Sequence, residues 1–149
     1  LGDVYKRQED EKLIDHAIKV TGLEEFRNRE LSQLSGGQRQ RVFIAMALAQ
    51  NTKILFLDEP TTYLDIRYQL DILRLIQKLN REYGITIVMV LHEINQAIHF
   101  SDEVIGLKDG KVLVQGDPKD VITTESISEL YDVHLNVADI DGQKFVMTV

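Results

Sequence analysis

The 149-residue chain has no cysteine, no tryptophan and only two prolines. Without cysteine there is no disulfide framework and no thiolate metal site. A surplus of positive charge is also missing. Seventeen lysines and arginines face twenty-four aspartates and glutamates, for a net charge of -7. A general nucleic-acid binder carries a basic surface, so DNA and RNA are disfavoured as direct partners. The longest apolar-rich run, Ile85 to Leu91, has the length of a strand. It falls well short of the roughly 20 residues that cross a bilayer. The opening "LGDVYKRQED" is polar and charged from its third residue, unlike a signal peptide.

What is present is the composition of an ordinary globular domain, 44% hydrophobic and 28% charged, long enough for one core. The chain starts at Leu1, and residues 1–8 match no pattern downstream; they read as a foreign or truncated end, with a single domain over 9–149. Within it, 9–50 forms a helical part and 51–149 an α/β part with C-terminal hairpins. Glu9 to Val20 carries Leu13, Ile14, Ala17 and Ile18 on one helical face, stopped by Thr21-Gly22. A polar stretch, a brief helix and then a loop, leads to Ser35, which can cap a helix from Gly36 to Gln50. Ile54 to Leu57 is uninterrupted apolar, the mark of a strand buried on both faces as in a parallel sheet. Ile66 to Tyr83 is amphipathic at helical spacing and closed by Gly84. Ile85 to Leu91 reads as a second buried strand, followed by a helix from Glu93 to Phe100. Asp109-Gly110 and Asp141-Gly142 sit where hairpins turn, between 103–108 and 111–116 and between 135–138 and 144–149, with short helices near 119–122 and 126–131. Alternating buried strands and helices predict an α/β architecture with a parallel sheet.

Four places carry chemistry, and each also has a plainer reading. In "LSGGQRQR", Leu34 to Arg41, two glycines open a helix behind a serine. Their backbone can approach an anion, and the first-turn amides and helix dipole favour one. A simple serine cap fits as well. "ILFLDE" delivers Asp58 and Glu59 at the end of a strand, where α/β sheets bind ligands. Asp58 is placed to hold Mg²⁺ and Glu59 to polarise an attacking water, or both are solvated acids. His92, after the second strand, could reach a γ-phosphate or be structural, as His16, His99 and His134 are read. Asp65 in "TTYLD" is at the least an N-cap for the long helix.

In this order and spacing the residues resemble the ATP-binding cassette (ABC) ATPases. Leu34 to Gln38 match the signature motif, Ile54 to Asp58 the Walker B strand and Glu59 the catalytic glutamate. Tyr63 to Asp65 fall on the D-loop and His92 on the switch histidine. The aromatic of "TTYLD" and the asparagine of "LHEINQA" look like ATPases of importers for iron-siderophore, haem or cobalamin. The resemblance implies a P-loop NTPase-type fold, ATP and Mg²⁺ as ligands, and a head-to-tail dimer with a second ATPase subunit. It further implies transmembrane permease subunits as partners and a peripheral place on the cytoplasmic face of the plasma membrane. In such a dimer Ser35, Gly36, Gly37 and Gln38 would close over ATP held by the other subunit.

The other half of that site is a phosphate loop, G-x-x-x-x-G-K-[ST]. The only Gly-Lys pair is Gly110-Lys111; Val112 follows it, and Ile105 stands where the first glycine belongs. The chain therefore reads as the C-terminal part of an importer ATPase, inactive by itself, with an exposed apolar sheet edge. The alternative is a naturally short, non-catalytic module that lends its signature face to a full ATPase. Cassette proteins of DNA repair or translation fit less well, given the acidic balance and the lack of coiled-coil heptads.

Overall fold

The computed structural model describes residues 2–147, with side chains from residue 8 onward. The chain divides between Val90 and Leu91 into two units. The first unit contains α1 (Gly2–Val20), α2 (Gly36–Ala49), β1 (Ile54–Asp58), α3 (Ile66–Tyr83) and β2 (Thr86–Val90). Two single 3-10 turns, Glu24–Phe26 and Leu31–Gln33, join α1 to α2. Helix α1 begins seven residues before the expected Glu9 start. It ends where expected: Gly22 takes φ +68, and the buried Thr21 hydroxyl donates to the Ala17 carbonyl at 2.8 Å. Arg41 of α2 donates to the Thr21 carbonyl at 2.9 Å, tying the second helix to the end of the first.

Strands β1 and β2 pair in parallel, Ile54 with Thr86 through Asp58 with Val90. Between them runs α3, capped by Asp65, whose carboxylate accepts from the Tyr68 N–H at 3.2 Å. Gly84 ends the helix in the left-handed conformation that an L-residue enters only at a cost. Ile72, Leu75, Ile76 and Leu79 of α3 meet Leu55 of β1, Ile85 and Ile44 in one cluster, with Leu57, Ile87 and Met89 against it.

That packing uses only one face of the pair. The strands are not buried on both faces, contrary to the expectation from their composition: Phe56 is 74% exposed, Val90 54%, Ile54 53% and Val88 47%. In-register parallel pairing puts these four on the same side. Helix α3 covers the opposite side, and no described element of this unit covers theirs. The expectation is an exposed apolar edge; what lies bare here is instead a face of the strand pair.

The second unit holds α4 (Ile94–Phe100), β3 (Val104–Lys108), β4 (Lys111–Gly116), α5 (Pro118–Val121), α6 (Thr124–Tyr131), β5 (Asn136–Ile140) and β6 (Gln143–Met147). Both hairpins turn on Asp-Gly pairs with positive φ, 49 and 73 at Asp109-Gly110 and 54 and 76 at Asp141-Gly142, as type I′ turns require. A bulge between Gly106 and Leu107 shifts the register of the first hairpin. Ile98, Ile122, Ile127 and Val146 form the core. Asn95 on α4 pairs with Val146 on β6 like one strand with another: its side-chain amide donates to the Val146 carbonyl at 3.0 Å and its oxygen accepts from the Val146 N–H at 2.8 Å.

An apolar sheet face of this kind drives association. The chain alone should show concentration-dependent association by sedimentation velocity, and Phe56→Ser with Val88→Thr should shift it towards monomer. Phe56 is 74% and Val88 47% exposed. The pair should therefore change folding stability by only about 0.5 kcal/mol each. Association that persists undiminished would place the contact elsewhere.

Candidate functional site

The signature turn is built by its own side chains. Ser35 has the extended backbone of an N-cap, φ -63 and ψ 164. Its Oγ accepts from the Gln38 N–H at 3.3 Å, and Gln38 Oε1 accepts from the Ser35 N–H at 2.9 Å. This reciprocal pair is a capping box. It satisfies two donors and leaves the amides of Gly36 and Gly37 as the first-turn groups that an anion can take. Ser35 keeps its hydroxyl proton to donate.

The two glycines lie close against the side chains beneath them. A Cβ on Gly36 would sit 3.2 Å from Leu64 Cδ2, and one on Gly37 would sit 3.2 Å from the Tyr68 ring. Leu64 precedes Asp65, and Tyr68 is the residue Asp65 caps. The signature turn and the "TTYLD" segment thus form one packed surface within the first unit. Tyr63, at φ +64, is fully exposed on that segment.

Asp58 and Glu59 differ in setting. Asp58 closes β1 with its side chain exposed at the carboxyl end. Glu59 takes φ +48, a left-handed conformation that costs a non-glycine residue about 1 kcal/mol. Its N–H donates to the Val90 carbonyl at 3.1 Å, so the end of β2 holds it. Its carbonyl accepts from the Thr62 N–H at 3.2 Å, closing a turn over Pro60 and Thr61. Its carboxylate accepts from the Thr62 hydroxyl at 3.1 Å.

Mg²⁺ takes oxygen donors, keeps several waters and leans on substrate phosphates rather than on an all-protein cage. A single exposed carboxylate at a strand end fits such an ion. Among the described residues no group of three or more histidines, aspartates and glutamates gathers to hold a metal. Asp58 would be the protein's own ligand.

His92 lies in the second unit, exposed in the short link before α4. Beside it, Glu93 contributes to raising the pKa of the Tyr131 phenol, an effect due first to burial of that ring. Residues 34–38, 58, 59 and 65 are thus carried by one unit and His92 by the other. Sequence reasoning missed Thr62 and Tyr68, and took Leu64 only as part of the D-loop. The Glu-Pro-Thr-Thr spacing of a β-turn could have pointed to Thr62. Nothing in the sequence marks Leu64 and Tyr68 as the floor under the glycines.

Residues 3–62 match the family model described as ABC transporter. Two relatives align along most of the chain. The petrobactin import ATP-binding protein FpuC of Bacillus anthracis is 48% identical over 87% of the chain and 48% of its own length. The ferric enterobactin transport ATP-binding protein FepC of Escherichia coli is 46% identical over 89% of the chain and 49% of its own. The chain is similar to ABC transporter ATPases along most of its length. Solved structures agree on its fold. An inward-facing ABC transporter assigned to the metal-chelate type superposes with TM-score 0.81 at 28% identity, over 91% of this chain and 54% of that one. A dimeric ATP-binding cassette in a post-hydrolysis state, bound to ADP and phosphate, superposes with TM-score 0.59 at 45% identity, over 69% of this chain and 44% of that one. The chain spans about half the length of the curated relatives it matches.

The capping box separates the structural duty of Ser35 from any ligand duty. Ser35→Ala should lower stability by about 1 kcal/mol in urea unfolding, and Ser35→Asp, which can also cap, should recover most of it. Equal losses in both variants would show that the cap contributes little to the fold.

Proposed function

We propose that this chain forms the signature- and carboxylate-bearing part of the ATP-hydrolysing subunit of an ABC importer, with iron-siderophore, haem or cobalamin as the transported class. One observation carries the reading. A single unit packs the glycines of "LSGGQ" onto the "TTYLD" segment and presents Asp58 and Glu59 at the end of the strand that follows the signature helix. The petrobactin and enterobactin relatives support the solute class, and the dimeric cassette with ADP and phosphate supports a paired, nucleotide-binding arrangement.

In this reading the work is positional and electrostatic, as suits phosphoryl transfer. The Ser35 hydroxyl and the amides of Gly36 and Gly37 close over ATP held by a second ATPase subunit arranged head to tail, and Gln38 keeps that turn in shape through the capping box. Glu59 orients and polarises the attacking water on the nucleotide of its own subunit, with His92 contacting the γ-phosphate. Asp65 fixes the start of α3, so the D-loop meets the partner in a set shape. Asp58 would hold Mg²⁺, which when bound neutralises charge on the phosphate oxygens. Closing and reopening of the pair would drive transmembrane permease subunits from the cytoplasmic face, where the protein sits peripherally. No described helix is long and apolar enough to cross the membrane, which fits a peripheral position.

A second reading rests on the missing G-x-x-x-x-G-K-[ST] pattern: a non-catalytic module that lends only its signature face to a complete ATPase. The two readings separate on Glu59. Joined to or co-expressed with a family segment that carries the phosphate loop, the chain should yield an ATPase, and Glu59→Gln should reduce its turnover by at least about 100-fold. Turnover that ignores Glu59→Gln would overturn the catalytic assignment and favour the module. In the same assembly, Ser35→Asp should abolish hydrolysis despite restoring the cap, because a carboxylate would then face the phosphates.

A further inference from the structure

We propose that Thr62 is a positioning residue for the reaction, holding the Glu59 carboxylate in the orientation that hydrolysis uses. The inference rests on the hydrolytic reading above and assigns a role to a residue outside the signature, the paired carboxylates and the histidine.

The geometry is closed from three directions. The Glu59 N–H is held by the Val90 carbonyl at 3.1 Å, the Glu59 carbonyl by the Thr62 N–H at 3.2 Å, and the Glu59 carboxylate by the Thr62 hydroxyl at 3.1 Å. Backbone and side chain of Thr62 therefore grip the same residue, the one that stands at φ +48. Pro60 and Thr61, both buried, make the turn between them rigid, and proline fixes its own φ. Threonine suits the task because its branched Cβ restricts χ1, so the hydroxyl direction is set by the backbone. A glutamate has three side-chain torsions to lose. A hydrogen bond at one carboxylate oxygen, Oε2, removes much of that freedom. A group that must polarise water within hydrogen-bond reach gains from being held beforehand.

The bond could instead serve only to close the turn, and the test separates the two roles. In the assembled ATPase, this chain together with a phosphate-loop-bearing segment, kcat and KM for ATP would be measured for Thr62→Val, Thr62→Ala and Thr62→Ser, with Glu59→Gln as reference and the melting temperature of each. Positioning predicts that Thr62→Val and Thr62→Ala lower kcat about tenfold with KM nearly unchanged, the pattern of an interaction realised in the transition state. Thr62→Ser, which keeps the hydroxyl, should regain most of the loss. If Glu59→Gln is inactive but the hydroxyl-free variants turn over like the parent, or faster, the positioning role is overturned while the hydrolytic reading stands. If Glu59→Gln keeps full turnover, it is the hydrolytic reading that fails. Should Thr62→Val not fold, Thr62→Ala against Thr62→Ser decides: equal kcat in the two sinks the proposal.

Discussion

The parallel pairing of β1 with β2 is the constraint on which the first unit depends. Its register sets Asp58 beside Val90, and the Val90 carbonyl then receives the N–H of Glu59. Two consecutive acids thereby leave one strand with different fates: Asp58 completes the strand and faces solvent, while Glu59 is turned into a left-handed conformation. A one-residue slip would exchange the two faces of the strand. It would bury Phe56 against α3, expose Leu55 and move the carboxylates off the end of the pair. The hydrophobic seam between β1 and α3, Leu55 against Ile72, Leu75, Ile76 and Leu79, is what makes that slip costly. Placement of the acids thus follows from packing several residues away.

The signature turn depends on a different kind of constraint, close approach. Gly36 and Gly37 sit over Leu64 and Tyr68 with no room for a side chain unless those neighbours yield. The capping box fixes the turn from above while the D-loop supports it from below. Asp65 serves both, since its cap holds Tyr68 N–H at the start of α3 and so presents the Tyr68 ring to Gly37. A change at Asp65 would reach the signature through that ring.

Much of this was legible because the signals were local. Ser35 before the glycines is a cap in the sequence as in the structure, which adds the reciprocal bond from Gln38, and Asp65 before an apolar period is a cap. Gly84 and the two Asp-Gly pairs mark positive φ, and each takes it. What failed depended on neighbours. A continuous apolar strand implies two covered faces. The sequence cannot say whether a second covering layer lies within the same unit, and here Phe56 and Val88 lie bare. Nor does any periodicity announce that Thr62 reaches back to Glu59, or that Asn95 pairs with a strand fifty-one residues later. Such contacts link a side chain to a particular atom, and hydrophobic pattern is blind to them.

The charge of the site raises a last point of consistency. The chain is acidic overall, and the groups of the signature turn that the proposed function assigns to the nucleotide are neutral: a hydroxyl, two glycine amides and a helix end. Fixed dipoles of this kind can hold phosphate without a basic surface. Asp58 and Glu59 work the other way, because two carboxylates near a triphosphate repel it. At about 4 Å, each pair of like charges costs about 1 kcal/mol in water and several times more near a protein surface. In the proposed reading that repulsion is offset by a divalent cation at Asp58, while Glu59, held back by Val90 and Thr62, addresses a neutral water instead of the phosphate. The left-handed turn at Glu59 then has an electrostatic reason as well as a steric one: it gives two adjacent acids different partners, a cation for one and a water for the other.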